Sequence, residues 1–206
     1  MLTALTAALV YGLTGGLTPG PLLTFVLRQT LRHGAREGIR TSFAPLITDG
    51  PIAILLLLLL DRIARVRPLF GAIAVGGVLY ILYLAWESWT APRPAIEDAE
   101  SAQAPKSFLR GAVVNFLNPN AWMFWLTAGT PMLLKAWRHS AAAAVAFVVV
   151  FFVCLIGSKL AIVMLLARSR ERVIGQWYTP AMRALALMLV GFAAVMARDA
   201  VALLRG

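Results

Sequence analysis

The sequence predicts an all-α, polytopic membrane protein of six transmembrane helices, arranged as two inverted three-helix repeats. Three observations predict this class. Of 206 residues, 60% are hydrophobic and only 14% are charged, whereas a soluble domain carries about a quarter charged residues. The apolar residues form stretches long enough to cross a bilayer core of about 30 Å. The first and the fourth of these stretches are each interrupted by proline.

Six apolar stretches are long enough for a helix of about 20 residues in a bilayer. Asp49 lies inside the second stretch and Lys159 inside the fifth, while Arg183, Arg198 and Asp199 lie near the ends of the sixth. Charged side chains near helix ends reach the interface by snorkelling, so we retain the sixth helix. The stretches cover residues 1–27, 41–60, 68–86, 111–134, 140–167 and 182–204.

The two repeats are expected to form one membrane domain, joined by a linker. The linker contains three prolines and the acidic residues Glu97, Asp98 and Glu100, which is typical of a flexible, solvated connector. The domain covers residues 1–206, with the first repeat at 1–90, the linker at 91–107 and the second repeat at 108–206.

The basic residues indicate an orientation. The formal net charge of +10 resides mainly in short loops, so we expect contact with membrane lipids and no nucleic-acid partner. Loops one, three and five share one side and carry eleven Lys and Arg residues, against seven on the other side. The positive-inside rule makes the first side cytoplasmic, in a multi-pass protein of the cell inner (plasma) membrane. The first set is Arg28, Arg32, Arg36, Arg40, Arg93, Lys106, Arg110, Arg168, Arg170, Arg172 and Arg183, and the second is Arg62, Arg65, Arg67, Lys135, Arg138, Arg198 and Arg205.

Aromatic residues lie near the expected helix ends, as interfacial side chains do. The amino-terminal stretch lacks a basic region and a cleavage site, so we expect a retained helix that begins outside, with the carboxyl terminus also outside. The aromatic residues are Trp86, Trp89, Trp137, Trp177 and Tyr178.

The first helix is expected to break at Pro19 and Pro21. Both prolines remove a backbone donor and clash with preceding carbonyls, and Gly20 between them loosens the backbone. Thr18 is a good N-cap residue, so we expect a half-helix that begins at Pro19.

The fourth helix is expected to break in the same way. Asn115, Asn118 and Asn120 interrupt an apolar stretch, and Asn118 precedes Pro119 as an N-cap residue. Half-helix N-termini carry free N–H groups and partial positive charge, which suit a carboxylate. Kinks that serve only packing are the alternative, but matching breaks in both halves favour a transporter with inverted repeats.

Four residues are expected at one depth. Pro19, Asp49, Pro119 and Lys159 each lie eight residues from the expected cytoplasmic end of a helix, or about 12 Å, near the bilayer midplane. A charge there costs about 2.5–3.5 kcal/mol, so Asp49 and Lys159 should face the interior and have partners. A permanent ion pair between them is one interpretation. The other is a site that opens to hold a zwitterion, with Asp49 as the proton-coupling group.

The motifs resemble the LysE/RhtB family of amino-acid exporters. The resemblance is carried by GLTPGP at 16–21, RHGAREG at 32–38, FLRG at 108–111 and NFLNPN at 115–120. It implies efflux of amino acids or similar small metabolites, driven by the proton-motive force. The segment around Asp49 departs from the glycine-rich pattern common in the family, since Pro45 and Pro51 bracket the acid. The substrate therefore does not carry over from the resemblance.

The expected function is a secondary transporter for a small-molecule substrate, working by proton antiport. We expect no enzyme activity, because His33 and His139 fall in loops on opposite sides and no catalytic motif is present. A cation or metal-ion exporter of the same broad fold and a passive channel are the alternatives, although one carboxylate beside a lysine suits a divalent ion poorly. We expect no cofactor and no resident metal, and a homodimer is a candidate assembly. The expected substrate-binding residues are Thr18, Pro19, Gly20, Pro21, Asp49, Asn115, Asn118, Pro119, Asn120 and Lys159.

Overall fold

The computed structural model describes residues 2–59, 63–91, 106–169 and 177–205, and the regular secondary structure in these ranges is entirely helical. The acidic run of the predicted linker lies outside the described residues. The α-helices are α1 (Leu2–Leu17), α2 (Pro21–His33), α3 (Ala35–Ser42), α4 (Pro45–Leu59), α5 (Ile63–Trp89), α6 (Ser107–Phe116), α7 (Pro119–Phe124), α8 (Thr130–His139), α9 (Ala141–Arg168) and α10 (Tyr178–Arg205), and a π-helical turn (Trp125–Gly129) joins α7 to α8.

Several of these helices are apolar enough to cross a membrane. Three described segments meet the length and hydropathy needed, at Ala35–Leu56, Ala141–Arg168 and Tyr178–Arg198. The pair α1 and α2 meets them together, with a bend of 55° at the break between the two helices. The chain is therefore an all-α, multi-pass membrane protein, as the sequence predicts.

The helices of the two halves pack mainly across the halves. Helix α1 lies along α9, and α5 lies along α10. Gly12 and Gly16 of α1 face α9 so closely that a Cβ on Gly12 would lie 2.6 Å from the carbonyl oxygen of Phe151. A Cβ on Gly16 would lie 2.7 Å from the carbonyl oxygen of Leu155. Small residues permit this approach of two backbones, which is how helices associate where water supplies no driving force.

Two buried clusters fill the space between the helices on either side of the broken segments. One is aromatic and includes Trp122, Trp125, Phe147 and Phe151, packed with small residues of α1. The other joins α2, α5, α6 and α10 through side chains such as Phe25. Both clusters mix residues from the two halves, so the halves share one core.

The predicted interfacial aromatics behave differently from one another. The four tryptophans expected at helix ends are exposed, but Tyr178 is fully buried. Tyr178 packs in a cluster with Leu31 and Met182, because the first turn of α10 turns this ring toward α2. The interfacial assignment of Tyr178 was therefore wrong. The exposed tryptophans are Trp86, Trp89, Trp137 and Trp177.

A charged cluster joins three helix ends. Glu87 at the end of α5 accepts contacts from Arg28 at 2.9 Å, Arg32 at 2.9 Å and Arg110 at 3.5 Å. Arg28 and Arg32 belong to the end of α2, and Arg110 belongs to the start of α6. The carboxyl-terminal ends of α2 and α5 and the start of α6 therefore lie together.

A second contact extends this grouping to the last helix. The guanidinium of Arg183, near the start of α10, lies 5.2 Å from the ring centroid of Trp89, as a cation–π contact. This arrangement agrees with the expectation that loops one, three and five share one side.

Candidate functional site

The first break differs in detail from the prediction. The N–H of Thr18 donates to the carbonyl of Thr14 at 2.8 Å, so Thr18 closes the last turn of α1. Helix α2 begins at Pro21, with extended Gly20 as the N-cap residue and no side-chain cap. The expected half-helix that begins at Pro19 with Thr18 as its cap was wrong. Pro21 takes the first helical position because it needs no N–H acceptor there, and the carbonyl of Gly20 accepts from Thr24 at 2.9 Å.

The second break follows the prediction. Helix α6 ends at Phe116, and α7 begins at Pro119 with Asn118 as its N-cap residue. The Oδ1 atom of Asn118 accepts from the backbone N–H of Asn120 at 3.1 Å. The indole N–H of Trp122 donates to the carbonyl of Phe116 at 2.6 Å. This bond satisfies one of the carbonyls that the end of α6 leaves without a helical partner.

Asp49 is held in place by polar neighbours on two helices. It lies in α4, which begins at Pro45 and contains Pro51. The amide of Asn115 in α6 donates to Oδ1 of Asp49 at 2.7 Å and lies 2.7 Å from Oγ1 of Thr48. The carboxylate is buried. Asn115 thus fixes the direction of the acid across the interface between the halves.

Lys159 lies in α9 and is almost fully buried, yet its ammonium is weakly coordinated. Nζ donates to the carbonyls of Gly15 and Leu155, both at the long distance of 3.4 Å. The ion pairs of the described residues do not join it to Asp49. The direct, permanent ion pair that the sequence left open is not formed, so each charge keeps bonding capacity for another group.

A cavity of about 420 Å³ lies between the two breaks, α4 and α9, and both charges line it. Ligand sites are commonly concave and of this size. Pro21 and Pro119 are buried at their helix starts and do not line the cavity. The other expected binding residues do line it: Thr18, Pro19, Gly20, Asp49, Asn115, Asn118, Asn120 and Lys159. Their role in binding stays a prediction.

The aromatic side of this cavity was not predicted from the sequence. The rings of Phe124 and Phe151 stack at 5.2 Å between centroids, and Tyr11 meets Phe124 edge-on at 5.8 Å. All three residues line the cavity. The spacing of Phe151, Leu155 and Lys159 was an available signal, because residues four apart share one helical face.

The cavity presents two opposite charges and several neutral polar groups. One carboxylate and one ammonium face the same space, and amide side chains and broken backbone surround them. Opposite charges that do not pair with each other can each bind the opposite charge of a small zwitterion.

Comparison with known proteins gives consistent matches. A family model described as LysE type translocator matches residues 13–200 of the chain. The chemotactic transduction protein ChpE of Pseudomonas aeruginosa is 31% identical over 143 residues, which are 64% of this chain and 66% of that protein. The leucine efflux protein of Klebsiella pneumoniae is 26% identical over 115 residues, 54% of each chain. The threonine efflux protein of Escherichia coli K12 is 29% identical over 134 residues, 59% of this chain and 62% of that protein.

These matches are partial. Each covers between 54% and 66% of the relative's own length. No solved structure matches the chain.

Proposed function

Because the chain belongs to the LysE-type translocator family, we propose that it is a secondary transporter that exports amino acids or similar small zwitterionic metabolites. Members of this family are transporters and not enzymes. Two of the similar proteins are efflux proteins for leucine and for threonine. The observation that carries the proposal is the cavity between two helix breaks, which Asp49 and Lys159 face without pairing. The bacterial relatives support a location in the inner (plasma) membrane.

In the proposed complex, the substrate ammonium contacts Asp49 and the substrate carboxylate contacts Lys159. Asn115 is already bonded to Asp49 at 2.7 Å, so the acid is oriented before the substrate arrives. The weak contacts of the Lys159 ammonium, both at 3.4 Å, leave it able to take a stronger acceptor. Charge-assisted hydrogen bonds of this kind are about twice as strong as neutral ones.

The proposed architecture has six spans in two inverted repeats of three. The breaks at 18–20 and at 117–118 support it, because each interrupts the first segment of a half and both border the cavity. Broken helices at corresponding positions of two repeats are typical of secondary transporters and mark their binding sites.

Proton coupling is proposed to run through Asp49. It is the carboxylate among the residues that line the described cavity, and the rest of its surface is buried. Binding of a proton or of the substrate ammonium to the same carboxylate would be mutually exclusive. That competition is the simplest basis for proton antiport, because one group then carries either the proton or the substrate in each direction.

The test is efflux from proteoliposomes that contain the purified protein and a mixture of amino acids, with an imposed pH gradient. We expect export against a concentration gradient in the wild type and its loss in Asp49→Asn and Lys159→Met. Lys135→Met is the matched control, because Lys135 is exposed in the middle of α8 and does not line the cavity.

Three outcomes would contradict parts of the proposal. Unchanged gradient-driven export in Asp49→Asn would remove the coupling role of that residue. Flux that never exceeds equilibration would indicate a passive channel. Absence of any amino-acid flux would overturn the exporter function itself.

A further inference from the structure

The cavity has two chemically different ends. Along α9, Lys159, Leu155 and Phe151 follow one another at intervals of four residues and all line the cavity. With a rise of 1.5 Å per residue, Phe151 lies about 12 Å from Lys159 along the helix axis. The α9 wall of the cavity therefore presents an ammonium at one end and an aromatic ring at the other, separated by about the length of a small molecule.

The apolar end is built from three different helices. Tyr11 comes from α1, Phe124 from α7 and Phe151 from α9, and Phe124 contacts both of the other rings. Phe151 also packs edge-on against Trp125 at 5.6 Å between centroids. Rings that fix one another in this way form a defined surface, which favours apolar or aromatic groups of matching shape.

In the proposed complex, both charged side chains of the cavity already bind the α-ammonium and the α-carboxylate of the substrate. Asp49 and Lys159 are the ionisable residues with full charges among its described lining. A substrate with a third charge on its side chain would place that charge beside aromatic rings, where the described lining offers no charged partner beyond Asp49 and Lys159. Burying an unpaired charge is strongly unfavourable, so we expect the cavity to discriminate against lysine-like and glutamate-like substrates.

We propose that the chain exports amino acids with uncharged, apolar side chains of leucine to phenylalanine size, whose side chains lie against Tyr11, Phe124 and Phe151. This inference rests on the proposed exporter function and on the binding of the α-ammonium and α-carboxylate to Asp49 and Lys159. It concerns the side chain of the substrate, because Asp49 and Lys159 bind only the α-ammonium and the α-carboxylate.

The first test compares substrates in wild-type proteoliposomes loaded with leucine, phenylalanine, alanine, lysine and glutamate at equal concentration. We expect leucine and phenylalanine to leave about tenfold faster or more than lysine and glutamate, and faster than alanine, because only they fill the apolar end. Export of lysine or glutamate at the rate of leucine would overturn the inference and leave the exporter function standing. Export of none of the five would overturn the inference, whereas the exporter function is decided separately by the full amino-acid mixture.

The second test adds a charge to the lining. Ala121 lines the cavity between Asn120 and Phe124 and is half-buried. Ala121→Asp offers a partner to a cationic side chain, and Ala121→Asn is its uncharged match of nearly equal size. We expect the ratio of lysine to leucine export to rise about tenfold in Ala121→Asp only.

An equal change of this ratio in both variants would show that size and not charge sets selectivity, and would overturn the charge argument. Membrane abundance of each variant is measured first. If Ala121→Asp fails to accumulate, the wild-type panel alone decides the inference.

Discussion

The Oε1 atom of Glu87 lies 2.9 Å from an Nη atom of Arg28, a side chain with almost no exposed surface. The same oxygen also meets Arg32 and Arg110. One carboxylate thus neutralises part of a group of three guanidiniums and ties the end of α5 to α2 and α6. Its removal would leave the buried charge of Arg28 without a counterion.

We therefore expect Glu87→Gln to destabilise the fold by about 3 kcal/mol, at the low end for a broken buried ion pair because Glu87 is partly exposed. The measurement is the fraction of protein that stays monodisperse in detergent after stepwise heating. Arg110→Gln is the control, since Arg110 is the most exposed of the three arginines and its contact with Glu87 is the longest at 3.5 Å, and such contacts contribute about 1 kcal/mol or less. Equal losses in the two variants would contradict the special role of Glu87.

A second prediction concerns the contact of α1 with α9. We expect Gly16→Ala to separate the two helices, because the new Cβ would collide with the side chain of Ser158 and lie 2.7 Å from the carbonyl of Leu155. The cost should be about 1–3 kcal/mol, as for overpacking elsewhere. Gly157→Ala in α9 is the control, since its Cβ meets nothing within 4 Å. That variant should be neutral or slightly more stable, because alanine favours a helix. Thermal stability in detergent tests both variants. A Gly16→Ala protein as stable as the wild type would show that the contact between α1 and α9 is loosely packed.

A third prediction separates orientation from stability at Asp49. We expect Asn115→Ala to raise the KM of export about tenfold, because Asp49 loses the donor that directs its carboxylate toward the cavity. Gln29→Ala is the control. Gln29 is also a buried amide with a partner on α6, Ser107 at 3.3 Å, but it does not line the cavity. Its loss should lower stability and leave KM unchanged. Equal KM values in the two variants would mean that Asn115 has a structural role alone.

The helix breaks could be predicted from the sequence because proline acts locally. A missing N–H and a ring clash disrupt a helix whatever surrounds them, so both openings and the cap at Asn118 were predictable. The choice between Pro19 and Pro21 as the start of α2 was not. It depends on which proline lets Gly20 adopt the extended conformation that links two helices bent by 55°.

Side-chain partners were harder to predict, because they depend on how helices far apart in sequence pack. The common depth of Asp49 and Lys159 followed from counting residues, and both do line one cavity. Residue counting could not show whether the two side chains form an ion pair. It also could not show that Asn115 bonds Asp49 or that Tyr178 turns inward, since both result from contacts between different helices.

The packing of α1 on α9 and of α5 on α10 has a mechanical consequence. If the amino-terminal half rocked as one body against the carboxyl-terminal half, α1 would have to slide along α9 at the point where Gly12 and Gly16 bring two backbones together. Such a seam resists shear, so the rigid units of a transport cycle are expected to be helix pairs that each take one member from either half. Crosslinks within such a pair should then permit turnover, and crosslinks between pairs should arrest it.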